Sequence, residues 1–318
     1  MPSLKAIRKR ISSVKSTQKI TRAMKLVAAA RLRRAQQRIT ELRPFAVKTA
    51  DVLHSVAARA DHAEHPLLAV REEKEVLLVV IGSDRGLAGG FNSQVNRAAE
   101  RMLRDLESQG KHVELVTIGR KPRDYFRRRG VEIVAELAGV NEKIDLGRAD
   151  AIAAQLIDFY GGAPTALTAG EAAAEGEAHD ERPSMIGRSP DAEGARFDAV
   201  YLLYNEFKSA MTQLVQTEKL LPVLPDDAMD DGVQDFVYEP DQRALLDRLL
   251  PLYVQITVYR ALLESVASEH GARMTAMDAA TNNAKDMISK LTLVYNRARQ
   301  AAITKELMEI IGGAEALK

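Results

Sequence analysis

The chain has 318 residues, a formal net charge of +1, 46% hydrophobic and 28% charged residues, and no cysteine. Without cysteine, a disulfide framework, a thiol nucleophile and cysteine metal ligands are all excluded. No run approaches the roughly 18 uncharged apolar residues of a membrane span, and the charged start lacks the apolar core of a secretory signal. We therefore expect a soluble protein that stays in the compartment where it is made.

Residues 1–60 predict a long helix with a strongly basic surface. Twelve Lys or Arg residues fall within residues 1–40, and the first acid is Glu41. Apolar residues recur at the heptad spacing of a coiled-coil helix, and Pro44 should kink this helix or mark a break in it. The apolar positions are Leu4, Ile7, Ile11, Val14, Ile20, Met24 and Val27, followed after a change of phase by Ala28, Leu32, Ala35, Ile39, Leu42, Ala46, Leu53 and Val56.

The basic face of this helix has three possible meanings. A nucleic-acid-binding protein would use it to contact phosphates, but the segment has no interleaved aromatic residues and no recognition motif. A face that is only solvated normally mixes both signs of charge. We therefore interpret it as an electropositive surface that contacts acidic protein surfaces, and expect no nucleic-acid partner.

The middle of the chain, residues 74–222, alternates short apolar, β-branched runs with helical patterns. The run Glu75–Gly82 is typical of a buried parallel strand. The alternation predicts a doubly wound, Rossmann-like α/β domain with a parallel sheet. Strands are expected at residues 75–82, 112–118, 131–136, 197–204 and 213–221, and helices at residues 92–109, 121–129 and 145–160.

Two segments near this domain have a different composition. Residues 161–196 are rich in Ala, Gly, Glu and Pro and contain almost no large apolar residue, which predicts a disordered surface insertion. Residues 226–241 contain seven acids and no basic residue. Their end, Glu239-Pro240-Asp241, suits the start of a helix, because proline and acids are favoured in a first turn.

Residues 240–318 predict one very long helix with an apolar seam, meaning a line of residues that faces a partner helix. A repeat of 3.5 residues sustained over this length requires a supercoil with a second helix, and residues 1–60 supply it. Pro251 should kink the helix near its start, and about 70 helical residues would span about 105 Å. His270 and Arg273 interrupt the seam, and either fix its register or mark where the helix faces another protein. The seam positions are Leu245, Leu249, Leu252, Ile256, Tyr259, Leu263, Val266, His270, Arg273, Met277, Ala280, Ala284, Met287, Leu291, Val294, Ala298, Ala301, Lys305 and Met308.

The stretch Gly82–Asn92 is rich in glycine and lies between the first strand and a helix, where phosphates often bind. It lacks the lysine and hydroxyl of a P-loop and the G-x-G-x-x-G spacing of dinucleotide sites. Asp84 and Arg85 could instead pair locally. Elsewhere the sequence has no H-E-x-x-H zinc motif, no G-x-S-x-G elbow and no calcium loop. These patterns indicate no catalytic residue, cofactor site or metal site.

Three groups of residues together resemble the gamma subunits of F-type ATP synthases. They are the opening residues 1–11 with residues 17–30, the glycine-rich loop at residues 83–92, and the C-terminal residues 295–314. The three matches occur in the family's order, and the resemblance covers nearly the whole chain.

The resemblance implies a central rotor shaft. The two terminal helices would form an antiparallel coiled coil inside a ring of alternating alpha and beta subunits. The α/β domain would contact the epsilon subunit and the c-ring, whose proton-driven rotation turns the shaft. Catalysis would occur on the beta subunits, so this chain would be non-catalytic. It would associate peripherally, through the complex, with the cytoplasmic face of the bacterial inner membrane.

The resemblance also assigns partner contacts to six positions. Three should face a lever region of the beta subunit, and three should make polar contacts with the catalytic subunits near the upper shaft. The alternative function is a nucleotide-binding α/β protein that dimerises through its coiled coil. The expected contacts are Met24, Lys25 and Arg273 for the first group, and Arg299, Gln300 and Thr304 for the second.

Overall fold

The structure is a computed structural model that describes residues 3–57, 65–142, 144–161, 197–224 and 242–315. The predicted insertion after Gly161 and the acidic segment 226–241 lie outside the described residues. The helices are α1 (Leu4–Ala57), α2 (Phe91–Ser108), α3 (Arg120–Arg127), α4 (Leu146–Tyr160) and α5 (Gln242–Glu315), with a short 3-10 helix at Val140–Glu142. The strands are β1 (Glu75–Ile81), β2 (His112–Ile118), β3 (Ile133–Leu137), β4 (Ala199–Phe207) and β5 (Gln213–Leu221).

The chain forms two compact units. The first consists of Met1–Ala30 with Arg273–Lys318, and the second of Arg31–Ala272. Both long helices are continuous through their prolines, so a break at Pro44 is ruled out and Pro251 lies inside α5. Neither long helix, nor any shorter one in the described ranges, carries the apolar stretch that crossing a bilayer would need.

The second unit contains the predicted doubly wound α/β domain. Its sheet has the strand order β3-β2-β1-β4-β5, and β1 to β4 are parallel, as the alternation predicts. β5 departs from this pattern, because it is antiparallel to β4. A tight turn closed by hydrogen bonds between Ser209 and Thr212 joins the two strands. So short a connection can only join antiparallel neighbours, since a parallel pair needs a crossover of a dozen or more residues.

The core of this unit lies on both faces of β1. Val76, Leu78 and Val80 pack with α2 and α3 in one apolar cluster, and the alternate residues Leu77 and Val79 are also fully buried. Side chains on a strand alternate between faces, so β1 is covered on both sides, as expected for a central parallel strand. α4 packs on β4, and α5 lies along the same strand, where the Ser268 hydroxyl donates to the Asn205 carbonyl at 3.0 Å.

A partly buried carboxylate at Glu73 links residues of several strands. Its oxygens accept hydrogen bonds from Lys111 at 2.7 Å, from Lys219 at 2.6 Å and from the Tyr201 hydroxyl at 3.0 Å. Burial alone would raise the pKa of Glu73, but these donors outweigh it and lower the pKa to about 2. Burial and the Glu73 carboxylate raise the pKa of Tyr201 to about 12. One side chain thus links the segment before β1 with β4, β5 and the residue before β2.

Replacing Glu73 with Gln should make the free energy of unfolding less dependent on pH in the acidic range. The folded pKa of Glu73 lies below the ordinary value of 4.5, so its stabilisation is present above about pH 5 and is lost as the pH falls toward 2. Between pH 6 and pH 3 the natural chain should lose about 2 kcal/mol of unfolding free energy that Glu73→Gln does not lose. Urea unfolding at the two pH values measures the difference. Glu72→Gln, at an exposed ion pair with Lys74, is the control, and an equal pH dependence in Glu73→Gln and the natural chain would contradict the assignment.

Candidate functional site

Within the first unit, two polar contacts join the ends of the chain. The Thr21 and Thr281 hydroxyls are hydrogen-bonded at 2.8 Å, and the Lys25 ammonium contacts the Asp278 carboxylate at 2.5 Å. The partner number falls on α5 as the residue number rises on α1, so the two helices are antiparallel. The predicted coiled coil of the terminal helices is therefore confirmed.

The seam of α1 follows one uninterrupted heptad, so the expected change of phase is wrong. Ile20 and Val27, which the apolar pattern places in the seam, are 59% and 54% exposed. The polar residues Gln18, Thr21 and Lys25 occupy the seam positions instead, and a search for apolar residues cannot detect these positions. The buried or half-buried positions of this part of α1 are Leu4, Ile7, Ile11, Val14, Gln18, Thr21, Met24, Lys25, Ala28 and Ala29.

The seam of α5 within the first unit is half as predicted. Met277, Ala284, Leu291 and Ala298 are buried or half-buried as expected. Of the alternate steps, the predicted Ala280 and its neighbour Thr281 are both half-buried. Beyond them the half-buried positions lie one residue further along than predicted, at Ile288, Tyr295 and Ala302. Met287 and Val294, the predicted alternates, are 48% and 50% exposed. Thr281 and Tyr295 carry hydroxyls, so the more apolar neighbours were the better match to the pattern.

The six expected contact residues fall into two groups along the first unit. Lys25 is held by Asp278 and Met24 is half-buried beside it, while Arg273 is largely buried. Arg299, Gln300 and Thr304 are exposed on α5, and the Thr304 hydroxyl donates to the Gln300 carbonyl at 3.0 Å. Asp278 and Arg299 are separated by about 30 Å of helix, so the two groups would meet different parts of a partner.

Exposed apolar residues mark surfaces that the sequence reasoning missed. Starting from the Thr21–Thr281 contact and moving one residue along each helix at a time, Leu4 comes opposite about residue 298. The end of α5 beyond residue 302 therefore has no described residue of α1 opposite it. Exposed apolar groups of this kind are typical of protein interfaces. They are Ile303, Leu307, Met308, Ile310 and Ile311 on α5, with Ile20, Leu26 and Val27 on the outer face of α1.

In the second unit, the glycine-rich loop lies at the carboxyl ends of the strands, where folds of this class usually bind ligands. That position is filled by the protein itself. The buried Asp84 carboxylate accepts hydrogen bonds from the backbone N–H of Arg120 at 3.2 Å and of Gly139 at 3.1 Å, and lies 3.5 Å from Arg120 Nε. Asp84 thus has partners that follow β2 and β3, whereas the sequence predicts a local pairing with Arg85.

The strand ends also approach too closely to leave a crevice. Asn141 donates to the Gly82 carbonyl at 2.7 Å. Gly119 has φ of +100°, and a Cβ there would lie 2.6 Å from the same carbonyl oxygen. A phosphate entering this position would meet the Asp84 carboxylate and closed backbone instead of free amides. The geometry therefore disfavours the nucleotide-binding alternative.

The fold brings together one group of potential metal ligands that no sequence spacing indicated. Atoms of Glu75, His112 and Glu114, on the adjacent strands β1 and β2, lie within 4.8 Å of one another. His112 Nδ1 is 2.7 Å from Glu75 Oε2 and 4.0 Å from Glu114 Oε1. The first of these is an ordinary hydrogen-bonding distance, so side-chain pairing is sufficient to explain the group.

Comparisons with known proteins cover the whole chain. A family profile described as ATP synthase matches residues 3–317. The chain is 51% identical over 354 aligned positions to the ATP synthase gamma chain of Sorangium cellulosum, and 50% identical over 322 to that of an Anaeromyxobacter species. In both comparisons 100% of each chain is covered.

Solved structures give the same picture of the fold. A chain of the central stalk and c-ring of the Tetrahymena thermophila mitochondrial ATP synthase is 25% identical, with a TM-score of 0.55 over 82% of this chain and 99% of that one. A rotor chain of the Euglena gracilis mitochondrial ATP synthase is 17% identical, with a TM-score of 0.63 over 94% and 98%. At 17% identity, the likeness to the Euglena chain shows that the two chains share a fold.

The role of Asp84 in closing the strand ends is testable through stability. Asp84→Ala leaves two backbone N–H groups and the Arg120 guanidinium without their acceptor, so unfolding free energy should fall by about 2–4 kcal/mol. Asp84→Asn keeps one acceptor oxygen and should cost less. Urea unfolding of the full chain measures both. Asp124→Ala removes a partly exposed ion pair with Arg123 and serves as control; if it costs as much as Asp84→Ala, the closing role is refuted.

Proposed function

The chain belongs to the ATP synthase gamma-chain family, and we propose that it is the central rotor shaft of a bacterial complex, coupling proton-driven rotation of the c-ring to ATP synthesis or hydrolysis on the alpha–beta hexamer. Its role is mechanical, because catalysis takes place on the beta subunits. The observation that carries this proposal is the antiparallel pairing of the chain ends through Thr21–Thr281 and Lys25–Asp278.

The helices and the α/β domain have different roles in this proposal. Helices α1 and α5 are the shaft helices, and their paired ends contact the alpha and beta subunits. Strands β1 to β5 with helices α2 to α4 form the α/β domain, which contacts the epsilon subunit and the c-ring. Its strand ends are closed by Asp84 and Asn141, which suits a domain that binds proteins rather than a nucleotide. The chain is a peripheral part of a membrane-associated complex, on the cytoplasmic face of the inner membrane.

Torque transmission requires that the shaft present a different surface in each direction. The part of α1 within residues 4–30 carries eight Lys or Arg residues and no acid, whereas residues 273–300 of α5 carry five cations and two acids. Each catalytic site therefore meets a different charge as the shaft turns. A rotor can shift a site between states only by as much as its contacts differ in free energy between them.

The six contact residues are part of this proposal. Met24 and Lys25 lie at the polar layer of the seam, and Lys25 can attract an acidic lever segment while Asp278 holds its ammonium in place. Arg273 begins the same part of α5. Arg299 and Gln300 expose polar groups one turn before the apolar end of the helix, and Thr304 lies within that end. Polar contacts there would be made and broken as the shaft turns.

Replacing Arg299 and Gln300 together with Ala should weaken coupled ATP synthesis several-fold without loss of assembly, because both residues are exposed and neither side chain forms a hydrogen bond or ion pair within the described residues. ATP synthesis by inverted membrane vesicles measures the coupling, and the amount of complex on the vesicles measures assembly. Lys290→Ala, at another exposed position of α5, is the control. Unchanged synthesis in the double variant would remove both residues from the contact set.

Thr304 has a closely matched control. Thr304 and Thr292 are both exposed and both donate their hydroxyl to the carbonyl four residues earlier. Thr304→Ala should reduce synthesis and Thr292→Ala should not, because the local helix effects of the two changes are alike. Equal effects would indicate that the helix, rather than a partner contact, is responsible.

A further inference from the structure

A basic cavity of about 250 Å³ lies within the second unit. Three arginines line it from α1, at spacings of three and four residues, which places them on one face of the helix. Asn141 and Ile144 line it from the loop before α4, and Leu263, Val266 and His270 from α5. A water molecule occupies about 30 Å³ in the liquid, so the cavity has room for a small polyatomic ion. The arginines are Arg31, Arg34 and Arg38.

The positive charge of this cavity has no counter-charge among the residues that line it. None of the lining residues is acidic. Within the described part of the chain, Arg31 and Arg34 form no ion pair or hydrogen bond. Arg38 donates to the Ile144 carbonyl at 2.9 Å, which is a neutral acceptor and leaves its charge uncompensated. Like charges this close repel one another, so an anion bound among them would be attracted by all three.

The walls of the cavity are held in place before any ligand arrives. Arg38 joins α1 to the loop at Ile144, and Asn141 is fixed by its hydrogen bond to the Gly82 carbonyl at 2.7 Å. Leu263 and Val266 are buried and apolar, whereas Arg31, Arg34 and Arg38 are exposed residues, so solvent screens part of their charge. Arg38 and Asn141 are therefore already in place, while Arg31 and Arg34 would lose rotamer freedom on binding.

We propose that this cavity binds a phosphate-type oxyanion, either free phosphate or the phosphate groups of a nucleotide. Guanidinium groups form paired, charge-assisted hydrogen bonds to phosphate oxygens. A tetrahedral ion offers acceptors in several directions and can meet arginines that reach it from successive turns of α1. A single protein carboxylate offers acceptors in one plane, and can satisfy one of these guanidinium groups well but not all three.

The test uses the full-length chain alone, because the catalytic subunits bind phosphate themselves. Equilibrium dialysis with radiolabelled inorganic phosphate, at an ionic strength held constant with chloride, gives the dissociation constant. Arg31→Gln/Arg34→Gln should raise it at least tenfold. The control, Arg22→Gln/Arg33→Gln, removes the same charge from exposed positions of α1 that do not line the cavity, and should change it less than twofold. Circular dichroism verifies that both variants are folded.

A second arm replaces inorganic phosphate with ADP. Binding of either ligand with the expected variant pattern supports the site, and the tighter of the two identifies the source of the oxyanion. Equal weakening in both double variants would instead show general attraction to a basic helix and would overturn the proposal. So would phosphate binding no tighter than that of chloride, or variant-sensitive binding of a poly-glutamate peptide with none of phosphate. Because no rotation is measured, failure here leaves the rotor function untouched.

Discussion

The register of the two terminal helices is the constraint on which the first unit depends. Lys25 and Asp278 are 39% and 48% exposed, so their ion pair contributes at most about 1 kcal/mol. Each fully buried aliphatic side chain contributes about 1.5–3 kcal/mol, so residues such as Ile7 and Met277, both about 5% exposed, supply the strength. The polar pairs act on register instead. A slip of one heptad would place Lys25 opposite Lys285 and Thr21 opposite Ile288. The attraction between Lys25 and Asp278 would be replaced by a repulsion between two lysines, and the Thr21 hydroxyl would lose its hydrogen-bond partner on α5.

The α/β domain shows why its fold does not reveal its function. A doubly wound sheet with a glycine-rich loop after β1 is the setting of many nucleotide sites. Here the loop turns its polar groups inward, and Asp84 takes the hydrogen bonds from neighbouring amides that a phosphate would otherwise take. The loop is therefore a structural tie between three strand ends. The glycine at position 119 is needed because β1 and β2 approach so closely there.

Much of this architecture follows from the sequence, and the errors have physical causes. The run of β-branched residues at Glu75–Ile81 fixes a buried strand, and the bounds of β2 and β5 agree with the pattern. The direction of β5 was missed because direction depends on connection length, not on strand composition.

The seam of α1 was misplaced at Ile20 because Gln18, Thr21 and Lys25 occupy seam positions. Polar groups are tolerated there only where they have partners on another helix or lie at the solvent edge. The contact residues came from family motifs, while the cavity beside Arg34 could not be predicted, because it requires α1, α5 and a loop to converge.

The polar layer in the seam and the lopsided charge of the shaft serve one mechanical requirement. A shaft of uniform surface would present the same contacts to three equivalent sites at every angle and could not hold them in different states. A shaft whose helices slid past one another would lose the angle that its surface encodes. The apolar seam resists separation, and the Thr21–Thr281 and Lys25–Asp278 contacts resist sliding. The cationic residues lie mainly on α1, while α5 is closer to neutral. Because the two helices cannot slide, the basic face of α1 keeps a fixed direction relative to the exposed polar groups of Arg299 and Gln300.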